Sequence, residues 1–155
     1  YPLWATNGAT IKINDKSVKV NQSPGTYIVL NRHWKAGDKI DITYPMSLRL
    51  VATNDNPNMA AVEYGPVVLA GDMGTEGEKS PVPFATDELD YKDYPIPADI
   101  IDTLNVSGRK LNDWLVPVKG KPLEFKAVGV ASKEITLVPF DQIDKERYVI
   151  YWNLK

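Results

Sequence analysis

The chain has no cysteine, a single histidine, and no excess of positive charge in its 155 residues. Each absence removes a class of function. Without thiols there is no disulfide framework, no thiolate metal site and no cysteine nucleophile. One histidine cannot supply the clustered His, Cys and carboxylate ligands that hold zinc. No segment approaches the run of about 18 apolar residues that a membrane-spanning helix needs. A net charge of −2 offers no basic field, so neither nucleic acid nor membrane is an expected partner. Phosphate-binding glycine loops are also missing, whether of the Walker or the GxGxxG type.

What remains is an ordinary globular composition, 43% hydrophobic and 25% charged. A chain of this length can bury roughly 70% of its unfolded surface, enough for one domain or two small ones. The lack of thiols leaves the compartment open, since such a protein is indifferent to redox poise. It opens Tyr1-Pro2-Leu3-Trp4, with no initiator Met and no basic or apolar leader. The expectation is a fragment of a longer polypeptide.

Helical periodicity is nearly absent, and β signals recur at the spacing of about 8–12 residues that marks a sandwich or barrel. Ala9 to Ile13 alternates, Asn14-Asp15-Lys16 supplies turn chemistry, and Ser17 to Val20 alternates again. Further strands are expected at Thr26–Leu30, Lys39–Tyr44, Ser47–Val51, Met59–Glu63 and Pro66–Ala70. The segment from Gly71 to Pro97 breaks the pattern with three Gly, four Pro and a run of acids, and reads as a linker or long loop. Ala98 to Leu104 suggests one short helical turn. Strands resume at Trp114–Val118, Leu123–Ala127, Ile135–Val138 and Tyr148–Trp152. The predicted fold is all-β, an antiparallel jelly-roll-like sandwich. It divides into a β unit over 1–71, an irregular stretch over 72–97, and a second β unit over 98–155 packing on the first.

Acids are the one plentiful catalytic group, and glycoside hydrolysis requires a pair of them about 5–9.5 Å apart. Twenty acids make some such pair inevitable, so abundance is not a signal. Glu63 stands out because its neighbours look buried, which calls for a raised pKa or a partner such as Arg49 or Arg147. Asp87 to Asp93 is acidic but lacks the alternation and central Gly of a calcium loop, and reads as solvated. Asn54-Asp55-Asn56-Pro57-Asn58 reads as Asx-turn chemistry. His33 reads as an exposed turn residue. Trp4, Tyr148 and Trp152 lie in apolar strand contexts and are expected in the core. The candidates for stacking a sugar ring are Trp34, Tyr91, Tyr94 and Trp114, with core packing the commoner fate of such residues.

Several stretches, in order, resemble a known family. Tyr1-Pro2-Leu3-Trp4-Ala5 resembles the end of an R-x-P-x-W strand, and Ala9 to Val18 a hairpin of the form A-x-(V/I)-x-(V/I)-N-G-x-x-V, with Asp15 in place of Gly. Gly25-Thr26-Tyr27 through Trp34-Lys35-Ala36-Gly37-Asp38 is similar to G-Y-…-R-x-W-x-x-G-D. Pro45 to Arg49, Ala61 to Gly71, Leu137-Val138-Pro139-Phe140 and Glu146 to Trp152 continue the series. Together they resemble the β region that follows the catalytic barrel in β-L-arabinofuranosidase-like proteins of glycoside hydrolase family 127. The likeness covers most of 1–71 and 122–152; the region 72–110 matches nothing, and Asp144 stands where the family has His.

The resemblance implies a non-catalytic region. In that family the cysteine nucleophile, and the zinc held by cysteines and a glutamate, lie in an N-terminal (α/α)6 barrel. No catalytic residue, metal ligand or cofactor site can therefore be carried over to any position here. The expected role is to brace the parent's barrel and to border its substrate rim, leaving an exposed apolar patch larger than about 300–600 Å². By analogy with exported glycoside hydrolases, the parent would be periplasmic or secreted. Two other readings stay open: an independent carbohydrate-binding module, and a self-contained carboxylate glycosidase.

Overall fold

The structure, a computed structural model, describes residues 1–76 and 100–155. It is all-β and sandwich-like, with a single four-residue α-helix and one 3-10 turn among the described residues. Two compact units divide it: Tyr1–Arg49 with Glu63–Val67, and Leu50–Val62 with Val68–Lys155.

Unit 1 is built on a three-stranded antiparallel sheet of β1 (Thr10–Ile13), β2 (Lys16–Val18) and β3 (Ile40–Thr43), in the order β2-β1-β3. Alternation decides its faces. Ile11 pairs with Val18 and Ile42, and Ile13 with Ile40, so the apolar side chains share one face. Lys12 pairs with Ser17 and Asp41 on the other. Asn14 and Asp15, at φ 50° and 64°, make the tight turn with two left-handed residues that matches strand twist. Asn14 also ties the hairpin to a second turn. Its backbone N–H donates to the Lys39 carbonyl at 2.9 Å and its amide to Asp38 at 2.7 Å, while its side-chain oxygen accepts from the Lys39 N–H at 2.9 Å. Tyr44 stacks on Tyr1 at 5.7 Å and meets Trp4 edge-on at 6.0 Å.

The larger sheet runs β7-β12-β5-β6-β10-β9-β8, with β4 paired to β5 and β11 to β6. In chain order these are β4 (Leu48–Ala52), β5 (Met59–Tyr64), β6 (Val67–Asp72), β7 (Thr103–Leu104), β8 (Leu115–Val118), β9 (Lys121–Ala127), β10 (Ile135–Pro139), β11 (Tyr148–Val149) and β12 (Tyr151–Leu154). All the registered pairs are antiparallel except β12 with β7. Its core contains Val62, Leu69, Leu104, Trp114, Leu115, Phe125, Ile135, Leu137 and Trp152, each no more than 3% exposed. Gly71 is fixed by Trp152: a Cβ there would lie 2.5 Å from the indole ring.

Four expectations are corrected. Thr26–Leu30 is not a strand; Gly25 turns at φ 85° and the following segment joins no ladder, leaving Tyr27 93% and Val29 69% exposed. Within 98–104, Thr103–Leu104 is strand β7 rather than a helical turn, because it pairs in parallel with Asn153 and Leu154. A division after residue 71 does not appear, since β6 pairs with β10 and β11 and so belongs with the C-terminal strands. Tyr148 is 48% exposed and Trp4 only half-buried, whereas Trp152 is fully buried. Tyr148 and Trp152 would share a face in one continuous strand. The strand breaks at Ile150, and its two halves pair with β6 and β5 separately.

Candidate functional site

Each unit has one cleft worth weighing. In unit 1 an open cleft of about 460 Å³ lies between the β1–β2 hairpin and residues 28–33, lined in part by Ile13, Val18, Ile28, Arg32 and His33. At its margin Asp38 organises a short chain of contacts. Its carboxylate accepts from the Lys35 N–H at 3.0 Å and from Asn14, and pairs with Arg32 at 3.3 Å. These contacts, the Lys35 N–H first, hold its pKa below the ordinary carboxylate value. Arg32 in turn lies 5.0 Å from the centre of the Trp34 ring. A guanidinium there occupies one face of the indole.

In unit 2 the strand register defines the outer face of the sheet. Asp72 pairs with Tyr148 on one side and Thr136 on the other; Thr136 pairs with Lys126, and Lys126 with Val116. Cross-strand partners point the same way, so these five side chains form a row across five strands. The neighbouring row of Gly71, Leu137 and Phe125 points inward and is buried. Asp72, Thr136 and Lys126 line a cleft of about 400 Å³, whose polar wall is completed by Lys121, Glu124, Gln142 and Glu146.

The charged groups of this cleft are held in place. Asp72 accepts from the Gly74 N–H at 2.8 Å, Glu124 pairs with Lys121 at 2.9 Å, and Lys126 pairs with Glu134 at 2.6 Å. Glu146 accepts from the N–H groups of Asp144 and Lys145, each at 3.1 Å. Its own backbone N–H and those two lower its pKa against an opposing desolvation, with the Lys145 charge a lesser lowering influence. Phe140 and Tyr148 meet at 5.2 Å with planes 55° apart, both more than 40% exposed. Among the described residues no group of three or more acids or histidines could hold a metal ion. No described helix is long and apolar enough to cross a membrane.

The aromatic residues singled out in the sequence do not come together. Trp114 is 1% exposed and serves the core, not a surface platform. The reason is local: helix α1 (Leu111–Trp114) ends on it, so Trp114 and Leu115 are both buried, which a strand's alternation would not allow. Trp34 remains 46% exposed beneath Arg32. Tyr91, Tyr94 and the acidic run Asp87 to Asp93 lie outside the described residues. Glu63 forms an ion pair with Arg49, which also approaches the Gly65 carbonyl at 3.4 Å, while Arg147 donates to the Glu76 carbonyl at 2.7 Å. His33 is exposed. The N–H of Asn58 donates to the Asn56 side chain at 3.0 Å, an Asx turn as read from the sequence. The cleft residues Asp72, Thr136 and Lys126, and Tyr148 beside Asp72 in the same row, were not legible, because only long-range register assembles them.

Comparison with known proteins matches two family models along the chain. Residues 1–46 match a model described as "Beta-L-arabinofuranosidase, GH127 middle domain". Residues 49–154 match DUF4986, described as "Domain of unknown function". A solved structure named "Glycoside hydrolase" aligns over 99% of the chain with a TM-score of 0.56 and 20% identity, a likeness of fold. The chain spans 26% of that protein's length. No curated protein sequence matches it.

Proposed function

We propose that this chain, which belongs through residues 49–154 to the DUF4986 family and carries at residues 1–46 a segment like the GH127 middle domain, is a non-catalytic accessory β region of a glycoside hydrolase. Its task is to brace the catalytic barrel of the parent enzyme. The observation that carries this reading is the unfinished surface of unit 1. Only Ala5, Ile11 and Ile13 are buried apolar side chains there, whereas Leu3, Tyr27, Val29, Trp34, Ile40 and Ile42 are each more than 40% exposed. Ile40 and Ile42 lie on edge strand β3, on the same sheet face as the buried Ile11 and Ile13. Scattered exposed apolar residues are ordinary, but an apolar sheet face continuing to an open edge fits a surface that another part of a protein covers.

The chemistry is consistent with support rather than turnover. Glu63, the acid the sequence singled out, is engaged by Arg49. The test is to assay the purified chain on aryl β-L-arabinofuranosides, and then to join it to the catalytic barrel of its parent. The expected result is no turnover by the chain alone, and a barrel more stable with the chain than without it. Turnover by the chain that is lost in Glu63→Gln would overturn the proposal, as would a barrel indifferent to the chain.

A further inference from the structure

We infer that the polar cleft on the outer face of the unit 2 sheet binds a neutral oligosaccharide. The inference rests on the reading of the chain as part of a carbohydrate-active enzyme, and adds a ligand and a place for it. Size is the first argument, since about 400 Å³ lies within the usual range of small-molecule sites, roughly 300–1,000 Å³.

Chemistry narrows the class. Beside the apolar Val118, Val138 and Ile143, the lining carries Asp72, Glu124 and Glu146 as acceptors, Lys121 and Lys126 as donors, and Gln142 and Thr136 as both. A lipophilic ligand would leave these groups unpaired at considerable cost. A polyanion would meet three carboxylates against two ammonium groups, and the lysines are already paired with Glu124 and Glu134. A metal ion finds no cluster of ligands among the described residues. A ligand rich in neutral hydroxyls satisfies both signs at once, each hydroxyl donating to a carboxylate and accepting from an amide or ammonium.

Two structural details favour sugar among such ligands. The carboxylates are anchored: Glu146 by two backbone N–H groups at 3.1 Å, Asp72 by the Gly74 N–H at 2.8 Å. Each carboxylate has about four acceptor sites, so anchoring leaves others free for a ligand. Groups fixed in advance cost little further entropy on binding. Beside Asp72 in the same row stands Tyr148, 48% exposed and braced by Phe140 at 5.2 Å. An aromatic ring with an apolar body next to fixed carboxylates can cover the C–H face of a sugar while the acids hold its hydroxyls.

Calorimetric titration of the full chain with arabinan-derived oligosaccharides tests this, with dextran sulfate as the polyanion control. Binding should weaken about tenfold in Tyr148→Ala and in Glu146→Gln, the scale of one lost stacking or charged contact. It should be unchanged in Trp34→Ala, which removes the exposed indole of unit 1. Backbone amide shifts of the unsubstituted chain give a readout that survives a misfolded variant, and should move in β6, β9, β10 and residues 142–146. No heat with the oligosaccharides at about 10 mM, weaker than any useful site, would overturn the inference. So would shifts confined to unit 1, a loss of binding in Trp34→Ala alone, or preference for dextran sulfate. None of these results bears on the bracing role, which the barrel experiment decides separately.

Discussion

The two units use the same alternating strands but finish their surfaces differently. In unit 2 the register sends Gly71, Leu137 and Phe125 inward and Asp72, Thr136 and Lys126 outward, so a full apolar core sits beneath an outer row that is polar at its centre, with Val116 and Tyr148 at its ends. In unit 1 the same logic buries Ile11 and Ile13, then leaves their partners Ile42 and Ile40 half in water at 49% and 43%. Alternation alone therefore makes an amphipathic sheet but does not cover it. Unit 2 buries a large apolar core of its own through long-range strands, while Val116, Tyr148 and Tyr151 stay exposed on its surface. Unit 1 offers an apolar edge, the feature on which the proposed bracing role rests.

Substitutions can break this contrast, beginning with the largest effect. Trp152→Ala removes a fully buried ring from unit 2 and should cost about 3–5 kcal/mol in denaturant unfolding. Gly71→Ala places a methyl 2.5 Å from that same ring and should cost about 1–3 kcal/mol by overpacking. A cost no larger than that of a surface change would mean that the β6–β12 packing is loose.

Unit 1 should respond more weakly on its apolar edge. Replacing Ile40 and Ile42 by Ser should each shift stability by only about 0.5 kcal/mol, while lowering the binding of a hydrophobic dye. A loss above about 2 kcal/mol would show that these residues already pack within the chain. The subtlest effect is electrostatic. Asp38 has a lowered pKa in the folded state, so it contributes stability above its unfolded pKa. That contribution is lost as pH falls through the folded value. Asp38→Asn should flatten this acid dependence in unit 1 and leave unit 2 unchanged, as followed by amide signals across a pH titration.

Much of unit 1 was legible because its signals are local. The β1–β2 hairpin follows from alternation on either side of Asn14-Asp15, two residues that tolerate left-handed backbone. Thr26–Leu30 is no strand because a run of β-branched and aromatic residues favours extended backbone without supplying a partner to pair with. The larger sheet was legible strand by strand, though not in its order. Tyr148 and Trp114 show why: one lies outside because Ile150 interrupts a strand, the other inside because a four-residue helix ends on it. The polar cleft was hidden for the same reason. Asp72, Thr136, Lys126 and Tyr148 are ordinary residues in sequence and become a row only when β6, β10, β9 and β11 pair.

The most direct test of the contrast is native-state hydrogen exchange on the 155-residue chain. Amides of β6, β9 and β10 should exchange only through global opening, and those of β1 and β3 through openings of distinctly lower free energy. Joining the chain to the catalytic barrel that the proposed function assigns to its parent should slow exchange in β1 and β3 while leaving β9 and β10 as they were. Equal protection of both units in the isolated chain, unchanged by the barrel, would contradict the account.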